Sequence, residues 1–458
     1  MECVTAKIIS EEDVTNPDHD INDTALPSII EHVSFLEHTC GEACLSEVNP
    51  YFKRDENPLR FPLMCLFHRW HAKSSLLSRP LDVIYKTPCG RSLRNFNDVR
   101  SYLFQTKCHF LFLDYFSFNT FLQLERNLVT DPVVVKEADI SRDVELVPVS
   151  FCNEIDNTKP SPFTYRKSPW PRGYFINNFA ELFNGCCDCT DGCLDVSTCT
   201  CLQLTARERN NNVSSSEQPN TTGYTYKRLQ TPIPTGLYEC NVSCKCDRSM
   251  CQNRVVQHGL QVRLQVYKTK EKGWGVRCLD DLDKGTFVCI YAGKLHLHKK
   301  LSSLQEKKSN FSSVKRPKTK TSILQKRGDT ERTDEAGYLS DNSTLSVQSS
   351  ESVIPKYACK QKAALQHPES EESICVLDAS KEGNVARFLN HSCSPNLFVQ
   401  PVFVETHLKK FPWVAFFTKS HIKAGTELTW NYKYNIGSIP EEEIPCLCGL
   451  KSCQNITI

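Results

Sequence analysis

Several features are scarce or missing in this chain of 458 residues, and each closes off a class of function. An excess of charge of one sign is nearly absent: 55 Lys and Arg stand against 53 Asp and Glu, a net +2. The whole molecule is therefore no polycation, and any nucleic-acid contact must come from a local patch. No charged-then-apolar signal opens the chain, because MECVTAKIISEEDVTNPDHD alternates polarity and turns acidic. A long hydrophobic run is missing too: the most apolar stretch, Phe110 to Leu124, is cut by Asp114, Ser117, Asn119 and Thr120 and is too short to span a bilayer. These absences lead to the expectation of a soluble intracellular protein with no membrane partner. Finally, there is no glycine-rich strand-to-helix phosphate loop, which disfavours Rossmann-type cofactor binding.

What is abundant is cysteine. Of 25, ten fall between Cys186 and Cys251 and three close the chain. In a secreted protein such density means disulfides, and the sequons at Asn212 and Asn241 keep that alternative open. Without a signal peptide the thiols stay reduced, and dense reduced thiols imply metal. The cluster reads Cys187, Cys189, Cys193, Cys199 and Cys201, then Cys240, Cys244, Cys246 and Cys251, with Cys186 a tenth thiol outside the pattern. Three tetrahedral zinc ions need twelve zinc–sulfur bonds, so nine thiolates suffice only if three of them bridge. All-cysteine coordination leaves no open position, which makes the site structural. The spacing matches neither ferredoxin arrangement.

Along the chain, residues 1–56 are acidic and without period and are expected to be a mobile leader. From 57 to 130, apolar runs alternate with basic turns: Val83–Tyr85 reads as a strand, Thr87–Gly90 as a tight turn, and Asn97–Leu103 as a helix opened by an asparagine cap. Residues 131–185, rich in Val, Pro and Asn, read as an extended connection carrying no chemistry, followed by the cysteine cluster over 186–254. The stretch 255–435 is β-patterned, with Leu260, Val262, Leu264 and Val266 alternating with polar residues. It is split at about 295–373 by a polar insertion with a basic and then an acidic half, expected to be disordered. Within it, Lys315-Arg316-Pro317-Lys318 reads equally as a nuclear-import signal or a solvated charge run.

Four motifs stand in a fixed order: KGWGVR (272–277), RFLNHSCSPN (387–396), GTELTWNYKYN (425–435) and CLCGLKSC (446–453). Together they resemble the SET-domain protein lysine methyltransferases, and the cysteine cluster resembles the three-zinc pre-SET domain of that family. The segment around Tyr85, Pro88-Cys89-Gly90 and Tyr102-Leu103 resembles a methyl-CpG-binding domain. An insertion splitting the SET domain marks the bifurcated, SETDB-type branch, and within it the second, smaller member. The resemblance implies an α+β, β-rich SET fold with zinc-bound pre-SET and post-SET elements, the latter over 436–458, preceded by a small α/β methyl-CpG-binding-like domain.

The resemblance also implies the roles of residues. S-adenosylmethionine would lie against Lys272, Gly273, Trp274, Arg387, Asn390 and His391. Tyr432 would be the catalytic tyrosine, Tyr291 would face it across the lysine channel, and Trp430 would line that channel. Cys446, Cys448 and Cys453 offer three ligands to a fourth zinc, and Cys393 supplies the last. Arg94 matches a guanine-reading arginine, with DNA or a chromatin protein as the module's partner; the second guanine-reading arginine has no secure match near His68-Arg69-Trp70. The implied activity is methylation of a histone H3 lysine in nucleosomes, lysine nine to the trimethyl state, in nuclear heterochromatin and repression. Asn431, where the family commonly has Asp, keeps open a chromatin scaffold with a weakened SET domain.

Overall fold

The computed structural model describes residues 35–73, 81–126, 132–170, 183, 185–210, 222–299, 373–407, 412–432 and 446–453. The chain divides into a unit formed by 1–298 with 375–458 and a second formed by 299–374. Nearly all of the second lies outside the described residues, and with it the expected disorder of the insertion and its basic tetrapeptide.

The first module opens with the short helix α1 (Phe61–Met64) and a three-stranded sheet, β1 (His68–Lys73), β2 (Leu81–Lys86) and β3 (Ser92–Leu93), backed by α2 (Phe96–Gln105). Its centre is aromatic: Phe67, Tyr85, Tyr102 and Phe116 are essentially inaccessible, and Tyr85 meets Phe116 edge-on at 5.0 Å. The helix begins slightly earlier than the sequence suggests, at Phe96. Asn95, not Asn97, is its cap, its Oδ1 accepting from the Asp98 amide at 3.0 Å while an Asp98 oxygen accepts from the Arg94 amide. The expected leader to residue 56 is also corrected over 35–56. Cys40 and Leu45 are buried in the module's core and Phe52 stacks on Phe61 at 4.2 Å, so apolar residues too few to show a period still find a partner.

The supposed connection 131–185 is corrected as well. It carries β4 (Val135–Glu137), β5 (Val149–Asn153) and β6 (Thr164–Tyr165). Val149 and Phe151 point into the main core, and β5 pairs in parallel with a strand more than a hundred residues downstream, a partner that local pattern cannot reveal. After the helix α3 (Thr200–Asn210) and β7 (Leu237–Tyr238) come β8 (Leu264–Lys268), β9 (Trp274–Cys278), β10 (Phe287–Tyr291) and β11 (Gly293–Lys299). Beyond the insertion follow β12 (Ser373–Gly383), β13 (Asn390–His391), β14 (Leu397–Phe403), β15 (Trp413–Thr418) and β16 (Thr429–Trp430). The sheets run β4-β5-β8-β9, β10-β15-β14-β7 and β11-β12-β6, with the parallel pair β13-β16. β11 and β12, the strands flanking the insertion, are thus sheet neighbours.

The module is fastened to this β-rich body by polar contacts. Arg126 forks both oxygens of the buried Asp281 at 2.8 and 2.9 Å, Asn119 donates to Asp283, and Arg228 donates to the Phe116 carbonyl while lying 4.7 Å over the Phe96 ring. Among the described residues no helix is long and apolar enough to cross a membrane.

Candidate functional site

The site forms where two short parallel strands, far apart in sequence, lie side by side: Asn390 faces Thr429 and His391 faces Trp430. The 3₁₀ turn Val385–Phe388 delivers the first of them. Asn384 caps that turn through Oδ1 to the Ala386 amide and sends its Nδ2 to the Ile290 carbonyl at 2.8 Å, holding the end of β10 beside it. This buried asparagine has no sequence signal beyond standing before a short apolar run.

The β8–β9 hairpin supplies the opposite wall. Thr269 accepts from the Lys272 amide and donates to the Gly273 carbonyl. Gly273 has φ +73°, a left-handed conformation that glycine alone takes without strain, and a Cβ there would meet nothing within 4 Å. Gly275 is glycine for a different reason, since a Cβ would stand 3.1 Å from Glu427 Oε1 and 3.2 Å from Asn390 Nδ2. Those two atoms are themselves bonded at 2.9 Å, and Asn390 Nδ2 also donates to the Trp274 carbonyl at 3.1 Å. Lys272 Nζ reaches Glu427 Oε2 at 2.5 Å. Glu427 therefore links two of the expected cofactor residues, Lys272 and Asn390, the second of which also holds Trp274, and sequence reading missed it. The signal was a carboxylate inside GTELTW, with no basic neighbour in sequence to mark it.

His391 joins the other half. Its Nδ1 accepts from the Tyr432 amide at 3.2 Å, which places the ring proton on Nε2, 3.6 Å from Cys393 Sγ. Burial, and after it the charge of Lys272, lowers its pKa, in keeping with a neutral ring that can accept. The Tyr432 hydroxyl donates to the Leu389 carbonyl at 2.7 Å. The Trp430 ring lies 4.8 Å from that of Tyr432 and 5.2 Å from Phe416. Among the described residues its indole nitrogen is buried with no hydrogen-bond partner, a donor that a ligand heteroatom would satisfy.

Two expected residues stand apart. Arg387 donates to the Ala379 and Ser380 carbonyls at 2.9 and 2.8 Å and lies 4.4 Å over the Phe163 ring, so it braces β12 against the turn. The Trp274 indole packs against Phe151 at 5.2 Å beneath Lys268, and only its carbonyl serves Asn390. Tyr291 is half-buried at the end of β10, close enough for its field to act on Arg387. In the first module Arg94 is exposed, but Tyr85 is fully buried with its hydroxyl on the Ser117 carbonyl, and Arg69 donates to the Ser117 and Asn119 carbonyls. Neither is left to read a base.

Eight of the nine thiols in the expected pattern gather in foursomes. Three foursomes have all their sulfurs within 4.8 Å of one another: Cys187, Cys189, Cys193, Cys199; Cys187, Cys193, Cys240, Cys246; and Cys187, Cys201, Cys240, Cys244. Cys187 is common to all, while Cys193 and Cys240 each belong to two, as bridging sulfurs would. Cys251 is buried in the same cluster but outside these foursomes. Sulfur separations of 3.5 to 3.7 Å are close to the edge of about 3.8 Å set by tetrahedral zinc with bonds of about 2.3 Å, and far beyond a disulfide of about 2.05 Å. N–H groups of Asn241, Asn253 and Arg254 donate to Cys244, Cys240 and Cys246, as donors to thiolate should. Nine thiolates with three zinc ions would carry a charge of −3, which accounts for a guanidinium as buried as that of Arg254. Cys393, Cys446, Cys448 and Cys453 form another foursome, with Cys393 at 3.8 Å from both Cys446 and Cys453. The cysteines of these foursomes are free of disulfides.

Comparison with known proteins adds the following. The SET domain family model matches residues 273–433, the Pre-SET motif 141–254 and the Methyl-CpG binding domain 53–126. The histone-lysine N-methyltransferase SETDB2 of Xenopus tropicalis is 44% identical over 99% of this chain and 82% of that protein. Its Homo sapiens counterpart is 39% identical over 92% of this chain and 80% of that protein. A crystal structure of Arabidopsis thaliana SUVH6 in complex with SAM aligns with a TM-score of 0.46 at 25% identity, over 71% of this chain and 56% of that one.

Proposed function

The chain belongs to the SETDB-type histone-lysine N-methyltransferases, S-adenosylmethionine-dependent enzymes of the SET fold, and from that membership we propose that it methylates histone H3 in nucleosomes, at lysine nine and to the trimethyl state. Its place is the nucleus, in heterochromatin formation and repression, with the first module meeting a chromatin protein or DNA. Three zinc ions in the Cys187–Cys251 cluster and one on Cys393, Cys446, Cys448 and Cys453 would hold the two flanking elements.

The observation that carries this reading is the convergence at His391. One imidazole binds the Tyr432 backbone through Nδ1 and faces the Cys393 foursome through Nε2. The catalytic tyrosine, the cofactor turn and the tail are thereby joined in one arrangement.

S-adenosylmethionine, when bound, supplies a methyl group on a sulfonium. The hairpin at Gly273, the Asn390 amide and the buried Trp430 indole nitrogen offer room and polar groups for it and for the lysine beside it. A lysine has a pKa of about 10.4 and must give its proton to water before it can attack. In an apolar channel lined by Trp430 and next to a cation, desolvation and like charge both lower that value. The neutral amine could then take up the methyl group that bound S-adenosylmethionine would supply. Tyr432, whose own proton is committed to Leu389, accepts from the amine and orients it towards that group.

The test is to incubate purified protein with labelled S-adenosylmethionine and nucleosomes and to locate the label by mass spectrometry. Label on histone H3 lysine nine is expected. Cofactor binding without any label on histone would favour the scaffold reading that Asn431 raises; label on another residue would overturn the substrate.

A further inference from the structure

A fifth group of metal-ligating side chains lies outside everything described above. His38, Cys40, Cys44 and Cys89 have their ligand atoms all within 4.8 Å of one another. Three come from the segment expected to be a mobile leader and the fourth from the tight turn between β2 and β3.

The local structure builds this foursome. Gly41 accepts at its carbonyl from the Cys44 amide at 3.0 Å, starting a single 3₁₀ turn over Glu42–Leu45 that folds Cys44 back towards His38 and Cys40. Leu45 and Cys40 are anchored in the module's core, so the turn is held against the sheet. Across from it, Thr87–Gly90 closes with Gly90 at φ +84° and presents Cys89.

The distances suit an ion. The His38 Nε2 atom is 3.2 Å from Cys44 Sγ and 3.7 Å from Cys40 Sγ. Zinc–nitrogen bonds of about 2.0–2.1 Å and zinc–sulfur bonds of about 2.3 Å at tetrahedral angles put such pairs about 3.5 Å apart. The orientation of the imidazole is independent of those distances and points the same way. His38 Nδ1 donates to the Leu36 carbonyl at 2.6 Å, which fixes the tautomer and turns the Nε2 lone pair to the sulfurs, the arrangement that metal-binding histidines take. The sulfurs are also supported as thiolates. Arg91 donates to Cys40 Sγ at 3.5 Å, and the Thr87 hydroxyl lies 3.2 Å from Cys89 Sγ. Three thiolates and one imidazole form a closed, soft donor set that selects zinc over magnesium or calcium and leaves no position for substrate.

We infer that His38, Cys40, Cys44 and Cys89 form a structural zinc site that clamps the segment before the first module onto its β2–β3 turn. The site fixes the turn that precedes Arg94, and so rigidifies the exposed edge of the module. It is independent of the methyltransferase reading, since no residue of the SET site takes part.

The experiment compares zinc per full-length chain, by elemental analysis after dialysis against a weak chelator, in wild type, Cys44→Ser/Cys89→Ser and His38→Ala. The double variant should bind one zinc fewer than wild type. His38 is exposed, so His38→Ala retains the fold and should lose the same ion more readily as chelator is raised. In parallel, thiol alkylation of the wild type should spare Cys40, Cys44 and Cys89 until the metal is stripped. Equal zinc in wild type and both variants would overturn the site. So would a peptide map, made without reduction, that finds any of these three cysteines in a disulfide.

Discussion

Glu427 shows how a single side chain can organise a site without carrying chemistry. One oxygen takes the Asn390 amide and the other the Lys272 ammonium, and the Lys272 and Glu427 side chains are both about four-fifths screened from water. Glu427→Ala leaves the Lys272 ammonium without its carboxylate and Asn390 Nδ2 with the Trp274 carbonyl alone, and hydrogen bonds to charged groups contribute about 1.5–3 kcal/mol. S-adenosylmethionine affinity should therefore weaken about ten- to a hundredfold; calorimetry giving the wild-type dissociation constant would remove Glu427 from the site. Tyr432→Phe separates differently. The ring keeps its packing on Trp430 and His391, while the hydroxyl on Leu389 is lost. Cofactor binding and melting temperature should hold, and single-turnover methylation of a histone H3 peptide should fall about 10²- to 10³-fold, the usual effect of removing one positioned group. Turnover at the wild-type rate would mean that another residue orients the amine.

At the scale of elements, two glycines test which strand contacts serve stability and which serve the site. In β11, a Cβ on Gly293 would lie 2.6 Å from the Asp378 carbonyl oxygen and 2.8 Å from its carbon, backbone atoms of β12 that cannot move aside. Gly293→Ala should cost about 1–3 kcal/mol of stability. At Gly275, by contrast, the nearest atoms are side-chain termini of Thr269, Glu427 and Asn390. They can yield, but by spoiling the proposed cofactor wall. Gly275→Ala should leave denaturant midpoints nearly unchanged and weaken S-adenosylmethionine binding, and the reverse pattern for the two variants would show the assignments exchanged.

At the scale of the whole molecule, Asp281 joins the first module to the SET body. Burial opposes its charge, but the Arg126 fork and the Ala424 and Gln123 amides outweigh that and hold its pKa below the usual carboxylate value. A depressed folded pKa contributes stability that is present above the unfolded value of about 3.9 and is lost as pH falls through the folded one. Thermal melts should therefore lose stability below about pH 4 more steeply in wild type than in Asp281→Asn; parallel acid profiles would deny the clamp. The insertion is tested at the same scale. Because β11 and β12 are sheet neighbours on either side of it, replacing Leu301–Glu369 with a short Gly/Ser linker should preserve cofactor binding. A shortened chain that does not fold would show that the insertion packs on the body.

Sequence alone determined what depends on short-range spacing. The Cys-x-Cys pairs, the NHSC turn and the tail triplet specified thiol chemistry because metal ligands must lie within a few residues or be counted to fill a shell. The alternation before KGWG specified a β-hairpin because the side-chain period of a strand is two. Tertiary structure decided what depends on distant partners. β5 becomes a strand only because β8 is there to pair with it, and Glu427 becomes a hub only when β9 and β13 approach it. His38, Cys40 and Cys44 look like scattered polar and sulfur residues until the turn bearing Cys89 closes over them. The physical reason is the same in each case: local pattern fixes which way a residue can face, whereas the group it faces is set by packing, and packing brings together atoms that the chain keeps far apart.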